Sequence, residues 1–201
     1  MNARRILEWG GLAAGVVLIA FGVGALYLGI DGRSTVRDSL KQEQIFFGEA
    51  TDPAVAEHAD QWAGEQVQTG DQARAFALVM REHTLESTEG LTYAQMGRFV
   101  SAAKPDDPAG TSDEAAAAKD EAGQPIANGA RNIWVTETAL TTALNTSYMA
   151  EQLSVFGIVV GIALLLTGAG LIILALAVLG GRFREQASES AASAGRVATG
   201  H

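Results

Sequence analysis

The chain has 201 residues, 14 Lys plus Arg against 23 Asp plus Glu, a formal charge of −9 and no Cys. That balance argues against nucleic-acid binding, which needs clustered basic charge to replace phosphate counterions. The missing thiols exclude disulfide staples and thiolate chemistry. Two uncharged runs, residues 9–30 and 152–181, each exceed the roughly 20 residues that carry a helix across a bilayer core, which argues against a soluble globular domain.

Residues 1–8, with Arg4 and Arg5, form a short end before the first run. A cleaved signal peptide would also show a basic pair and an apolar stretch. Here the stretch is longer than a usual signal core, Glu8 stands at its entrance, and no small-x-small site precedes Asp31. Residues 9–30 are therefore read as an uncleaved transmembrane helix. Beyond them, Ser34 or Thr35 caps a helix running towards Phe47, and Gly48 ends it. Asp52-Pro53 reads as an N-cap followed by proline at the first helical position, opening a helix through Trp62 to about Val67, with Gly70 as its stop. Asp71 starts another, with Ala73, Phe76, Ala77 and Met80 at helical spacing, until Gly90. Thr92 to Gln95 fits a capping box that opens a short helix with Met96, Phe99 and Val100 on one side. No segment reads as a strand.

Residues 103–129 shift to Ala, Asp, Glu, Lys, Gly and Pro and predict a flexible, solvated excursion, with room for a short helix across 113–122. A long helix beginning near Asn132 is expected to run into the second transmembrane segment, 152–181. Residues 182–201, rich in Ser, Ala and Gly, predict a disordered tail. Between Asn132 and Gln152 there is no Lys or Arg, whereas Arg182 and Arg184 follow the second run at once. By the positive-inside rule both termini are cytoplasmic and the loop 31–151 lies outside. That loop holds 9 basic and 20 acidic residues, a formal charge of −11.

Both runs carry a small-residue face. Gly11, Gly15, Leu18, Gly22, Ala25 and Gly29 follow steps of 4, 3, 4, 3 and 4, and so do Gly157, Gly161, Leu164, Gly168, Leu171 and Ala175. At about 100° per residue each set forms one stripe that allows close backbone approach in a membrane. Gly11, Gly15, Gly22, Gly157, Gly161 and Gly168 are the expected helix-packing positions, within one chain or between copies. The stripes extend outward through Val36, Leu40 and Phe47 on one side and through Ala139, Thr146 and Ala150 on the other.

Chemistry is sparsely marked. His58, His83 and Glu86 are weak candidates for a divalent metal, set against the plainer reading of polar residues on acidic helices, and no metal or other cofactor is expected. Asp106, Asp107, Asp113 and Glu114 lack the oxygen spacing of a calcium loop. Asn145-Thr146-Ser147 meets a glycosylation sequon on a predicted helix. Thr167 is the most polar side chain deep in the second run, and neither run holds an acidic or basic residue, as proton and ion pathways usually do. Thr136, Thr138, Thr141, Thr142 and Thr146 crowd hydroxyls onto residues 134–151. Interhelical contact and water-facing polarity explain them equally well.

Two blocks carry a resemblance: 83–99, with Leu85-Glu86-Ser87-Thr88 and Thr92-Tyr93-Ala94-Gln95-Met96-Gly97-Arg98-Phe99, and 130–151, from Ala130-Arg131-Asn132-Ile133-Trp134 to Glu151. They resemble an uncharacterised family of two-span bacterial membrane proteins of actinobacterial type. The resemblance implies two spans around an outer domain in a bacterial cell membrane, and it carries no established activity or residue roles. The resulting expectation is an all-α protein with two transmembrane helices flanking a helical extracytoplasmic domain. Its expected role is a non-catalytic self-associating or partner-binding cell-envelope subunit, with the lipid bilayer and a second copy or another membrane protein as partners and no nucleic acid. The alternatives are a homo-oligomeric, cation-attracting pore and, behind it, a metal-dependent extracytoplasmic enzyme.

Overall fold

The computed structural model describes the backbone of residues 3–198 and the side chains of residues 9–177. Arg4, Arg5, Arg182 and Arg184, which carry the orientation argument, lie outside the described side chains. Four α-helices follow in chain order: α1 (Ala3–Gln42), α2 (Pro53–His58), α3 (Gly70–Ser87) and α4 (Gly129–Ala198). Single 3-10 turns lie at Asp60–Trp62 and Tyr93–Gln95. The described residues are all-helical apart from loops and isolated bridges. Both α1 and α4 are long and apolar enough to cross a membrane. The chain divides into two compact units: one holds residues up to 31 and from 153 onward, the other holds residues 32–152.

In the first unit, segments of α1 and α4 pair antiparallel through their small-residue stripes. A methyl group on Gly15 would lie 2.8 Å from the Gly168 carbonyl oxygen, and one on Gly22 would lie 2.9 Å from that of Gly161. At Gly29 the obstacle is Ser154 O, at 2.7 Å. Each pair is displaced from the last by seven residues on both helices, the repeat that keeps one seam facing its partner. Gly11 meets Ala175 and Gly157 meets Gly29 more loosely, at 3.5 and 3.7 Å for the same hypothetical methyl. Of the glycines on the two stripes, Gly15 faces Gly168 and Gly22 faces Gly161 inside the chain, while Gly11 faces Ala175 and Gly157 faces Gly29. The opposite faces expose Phe21, Leu28, Phe156, Leu166 and Ile173, as a lipid-facing surface requires.

The second unit is built on a small apolar core. Val55 and Val67 are fully buried, with Leu40, Phe47, Ala73, Val79 and Leu144 around them. The Phe47 ring stacks near Trp62 at 6.1 Å between centroids and meets Phe76 edge-on at 5.5 Å. Residues 45–48 and 64–67 run antiparallel as a strap, with Phe47 N–H donating to Glu65 O at 2.9 Å and Val67 N–H to Ile45 O at 2.8 Å. Asp52 caps α2 by accepting from Ala54 N–H at 2.9 Å, and Thr69 with Gln72 forms the capping box of α3. Trp134 on α4 donates from its indole to Leu91 O at 2.8 Å beneath the end of α3.

Several sequence expectations are corrected. Asp31-Gly32 does not interrupt α1, so Ser34 and Thr35 lie within a helix and cap nothing; a mid-helix glycine costs only about 1 kcal/mol, which packing offsets. The helix expected to run to Val67 stops at His58, and Phe99 and Val100 lie outside any helix. The excursion 103–129 forms no short helix across 113–122. Antiparallel bridges pair Phe99 with Thr111 and Ala127, Ser101 with Ala117, and Lys119 with Pro125. Gly97 and Gly110 make this possible, since a side chain on either would strike the Thr111 backbone or Phe99 O within 2.5 Å. Asn128 closes the module by donating to Gly97 O and Pro108 O, at 3.1 and 2.9 Å, while its Oδ1 caps α4 through Ala130 N–H. On α4 the buried positions of this unit are Trp134, Glu137, Leu144 and Glu151, whereas Ala139 and Thr146 are exposed. The disordered tail expected over 182–201 is helical as far as Ala198, in keeping with its many good helix formers, Ala, Arg, Glu and Gln.

The paired glycines predict an asymmetry between positions. Gly161→Leu drives side-chain atoms against Gly22 O and should cost about 1–3 kcal/mol. Gly170→Leu, at a glycine with open space around it, should leave the melting temperature in nanodiscs unchanged.

Candidate functional site: the groove between α3 and α4

The second unit is tied together by one carboxylate. Glu151, whose side chain is 7% exposed, accepts at Oε1 from Arg33 Nε at 2.9 Å and from Arg37 Nε at 3.0 Å. Its Oε2 accepts from the backbone N–H of Gly70, the first residue of α3. Only glycine fits there, because a methyl would lie 2.9 Å from Tyr148 Cα. A carboxylate at a helix N-terminus also meets the positive end of the helix dipole. Burial pushes the Glu151 carboxyl up, but the Gly70 N–H and then the two guanidinium groups outweigh it and hold the group below its ordinary value.

With its first turn fixed, α3 runs antiparallel to α4. Arg74 lies over the Tyr148 ring at 4.9 Å and Arg81 over the Trp134 ring at 5.2 Å. Between the helices opens a groove of about 740 Å³. Its α3 wall is Arg74, Leu78 and Arg81, and its α4 wall includes Thr138, Thr141, Asn145, Tyr148 and Gln152. These five follow steps of 3, 4, 3 and 4, a polar stripe along one helix face. Glu137 also lines the groove. It is 5% exposed, and its one hydrogen-bond partner among the described residues is the neighbouring Thr138 hydroxyl at 3.3 Å. Neither Arg74 nor Arg81 has a carboxylate within ion-pair distance among the described residues. A second, mostly apolar hollow of about 500 Å³ lies among Leu40, Ile45, Phe76, Met80, Leu140 and Leu144.

The groove was partly announced by its hydroxyls. Thr136 and Thr146 donate to their own helix, at Asn132 O and Thr142 O, while Thr138 and Thr141 face the groove. The Arg33–Arg37–Glu151 junction and the facing Arg74 and Arg81 went unrecognised, although Arg74 and Arg81 stand seven residues apart on one face of α3. His58, His83 and Glu86 are not brought together: among the described residues no group of three His, Cys, Asp or Glu could hold a metal. His83 instead pairs with Asp52 at 2.9 Å, and this hydrogen bond is the main reason the Asp52 carboxyl lies below its ordinary value. Asp107 and Asp113 accept local backbone N–H groups in turns. Thr167 donates to Ala163 O at 2.8 Å within its own helix.

Comparison with protein-family models, with curated proteins and with solved structures returns no match.

A lowered carboxyl stabilises the fold above the unfolded carboxylate range, and the contribution is lost as pH falls through the folded value. Thermal stability of the second unit should therefore drop between neutral pH and about pH 3. Glu151→Ala should remove on the order of 3 kcal/mol at neutral pH, because it strands two cations and a helix N–H, and should flatten that acid dependence. An unchanged acid profile in the variant would contradict the assignment.

Proposed function

We propose that this chain is a non-catalytic, membrane-anchored binding subunit whose outer unit presents the α3–α4 groove to a partner. The observation that carries the reading is the groove itself. It is a concavity of a size that suits ligand binding, it contains two guanidinium groups and a buried carboxylate without opposite-charge partners among the described residues, and its α4 wall belongs to a helix long enough to cross a membrane. Such groups gain hydrogen bonds and charge neutralisation when a complementary surface arrives. Nothing comparable supports chemistry, since no nucleophile, base and orienting group converge in the groove. In the proposed orientation both termini are cytoplasmic and residues 31–151 lie outside a bacterial cell membrane, following the basic residues after the second run.

The small-residue stripes are occupied inside the chain, which favours partner binding through the outer unit over self-association through the membrane helices.

Two measurements test the reading. The chain lacks cysteine, so a single cysteine at Gln124 reports topology cleanly; a membrane-impermeant maleimide should label it in intact cells, and protection from the reagent would reverse the orientation. A photocrosslinking residue at Thr141 should give a discrete adduct in native membranes. The same residue at exposed Gln124 should give none, and silence at Thr141 would contradict the groove as a binding surface.

A further inference from the structure

The groove combines features that select its ligand. Arg74 and Arg81 stand seven residues apart on α3, which separates them by roughly 10 Å along the helix axis. Both guanidinium groups lie against aromatic rings and keep donors free for an incoming anion. Exposed Leu78 lies between them along α3. Along the other wall, Thr138, Thr141 and Asn145 stand at helical intervals; the Thr138 hydroxyl donates to Glu137 at 3.3 Å and that of Thr141 to Thr138 O at 3.4 Å, so each keeps acceptor lone pairs, and the Asn145 amide makes no hydrogen bond among the described residues. Glu137 adds a buried acceptor with lone pairs to spare.

We propose that the groove binds an extended acidic peptide segment, with two carboxylates on Arg74 and Arg81, an apolar side chain between them on Leu78, and backbone amides along Thr138, Thr141 and Asn145. The inference rests on the reading of the groove as the binding surface and names what fills it. The groove carries two positive charges against one negative in an outer loop whose formal charge is −11, so it is a local inversion of sign. Mixed donors and acceptors along the α4 wall match a peptide backbone, which presents both. The stripe from Gln152 to Thr138 is about 21 Å long at 1.5 Å per residue, room for about six extended residues. Glu137, one turn from Trp134 at the Arg81 end of the groove, is placed to accept a peptide N–H there.

The test uses the full chain in phosphatidylcholine nanodiscs and three labelled hexapeptides. They carry an apolar residue at the centre and glutamate, glutamine or lysine at the first and fifth positions. Fluorescence anisotropy should show the glutamate peptide binding at least about tenfold more tightly than the other two, as expected for charge-assisted hydrogen bonds. Binding should weaken as ionic strength rises from about 50 to about 300 mM. The double variant Arg74→Gln, Arg81→Gln should lose that preference, and its melting temperature shows whether it is folded; Thr141→Val, which keeps both charges, should weaken binding while leaving the preference for glutamate in place. Equal binding of the three peptides, a preference for lysine, or insensitivity to the arginine variant overturns the acidic-peptide proposal while leaving the groove a binding surface. If no peptide binds yet the crosslinker at Thr141 still captures a partner, the proposal fails and the broader reading stands. If anionic nanodiscs alone displace the glutamate peptide and become the species crosslinked at Thr141, the occupant is a lipid and the proposal is likewise overturned. If no peptide binds and Thr141 captures nothing, both fail together.

Discussion

Glu151 is a charge taken out of water, and the unit formed by residues 32–152 is organised around satisfying it. Its two oxygens receive Arg33 and Arg37 from α1 and the first amide of α3, so one side chain on α4 fixes three helices at a single point. Isolated ion pairs of this kind contribute little net stability, because desolvation offsets the Coulombic gain. Their value lies in selectivity: any register that moved Arg33, Arg37 or Gly70 away would strand a buried carboxylate at a cost of several kcal/mol. The glycine at the start of α3 belongs to the same constraint. Without a side chain, its backbone reaches both Glu151 and Tyr148.

Everything on the outward face of α3 follows from that anchoring. The helix buries Ala73, Ala75, Ala77 and Val79 towards the core and half-buries Phe76 and Met80, which leaves Arg74, Leu78 and Arg81 as the wall of the groove. At the far end Thr88, Leu91 and the Trp134 indole hold α3 against α4 through buried hydrogen bonds. A groove closed at both ends by fixed contacts is preformed, and a preformed site loses less entropy when a ligand binds. The first unit obeys a different rule. No charge organises it, and close approach of glycine faces does so instead, because lipid offers apolar side chains no reason to prefer one another.

Much of this was legible before any coordinates. The uncharged runs gave the two long helices, the 4, 3, 4, 3, 4 spacing gave the glycine faces, and Asp52-Pro53 and the Thr92–Gln95 pair gave turns at their places. The failures have a common cause. Local signals such as Gly32, or the Ala- and Pro-rich composition of 103–129, were weighed without the long-range contacts that override them. Asn128 illustrates this, since nothing in its neighbourhood reveals that its amide will hold Gly97 and Pro108 while capping α4. The face of α4 was misjudged outside the membrane because extending the glycine stripe assumed one continuous seam. The packing partner changes where α3 arrives, and the buried row shifts to Trp134, Glu137, Leu144 and Glu151. Glu151 itself looked like the end of a polar segment, since a buried acid is recognisable only beside its donors. Arg33 and Arg37 lie more than 110 residues away in sequence.

The central claim is that the Glu151 junction holds α3 against α4 in one arrangement and so preforms the groove. Pulsed electron–electron spin distance measurement in nanodiscs tests it most directly, with labels at Glu82 on α3 and Val135 on α4 in a chain otherwise free of cysteine. The account predicts a single narrow distance distribution in the parent chain that broadens in the Glu151→Gln background. A broad distribution in the parent, or a narrow one that ignores the substitution, would contradict it.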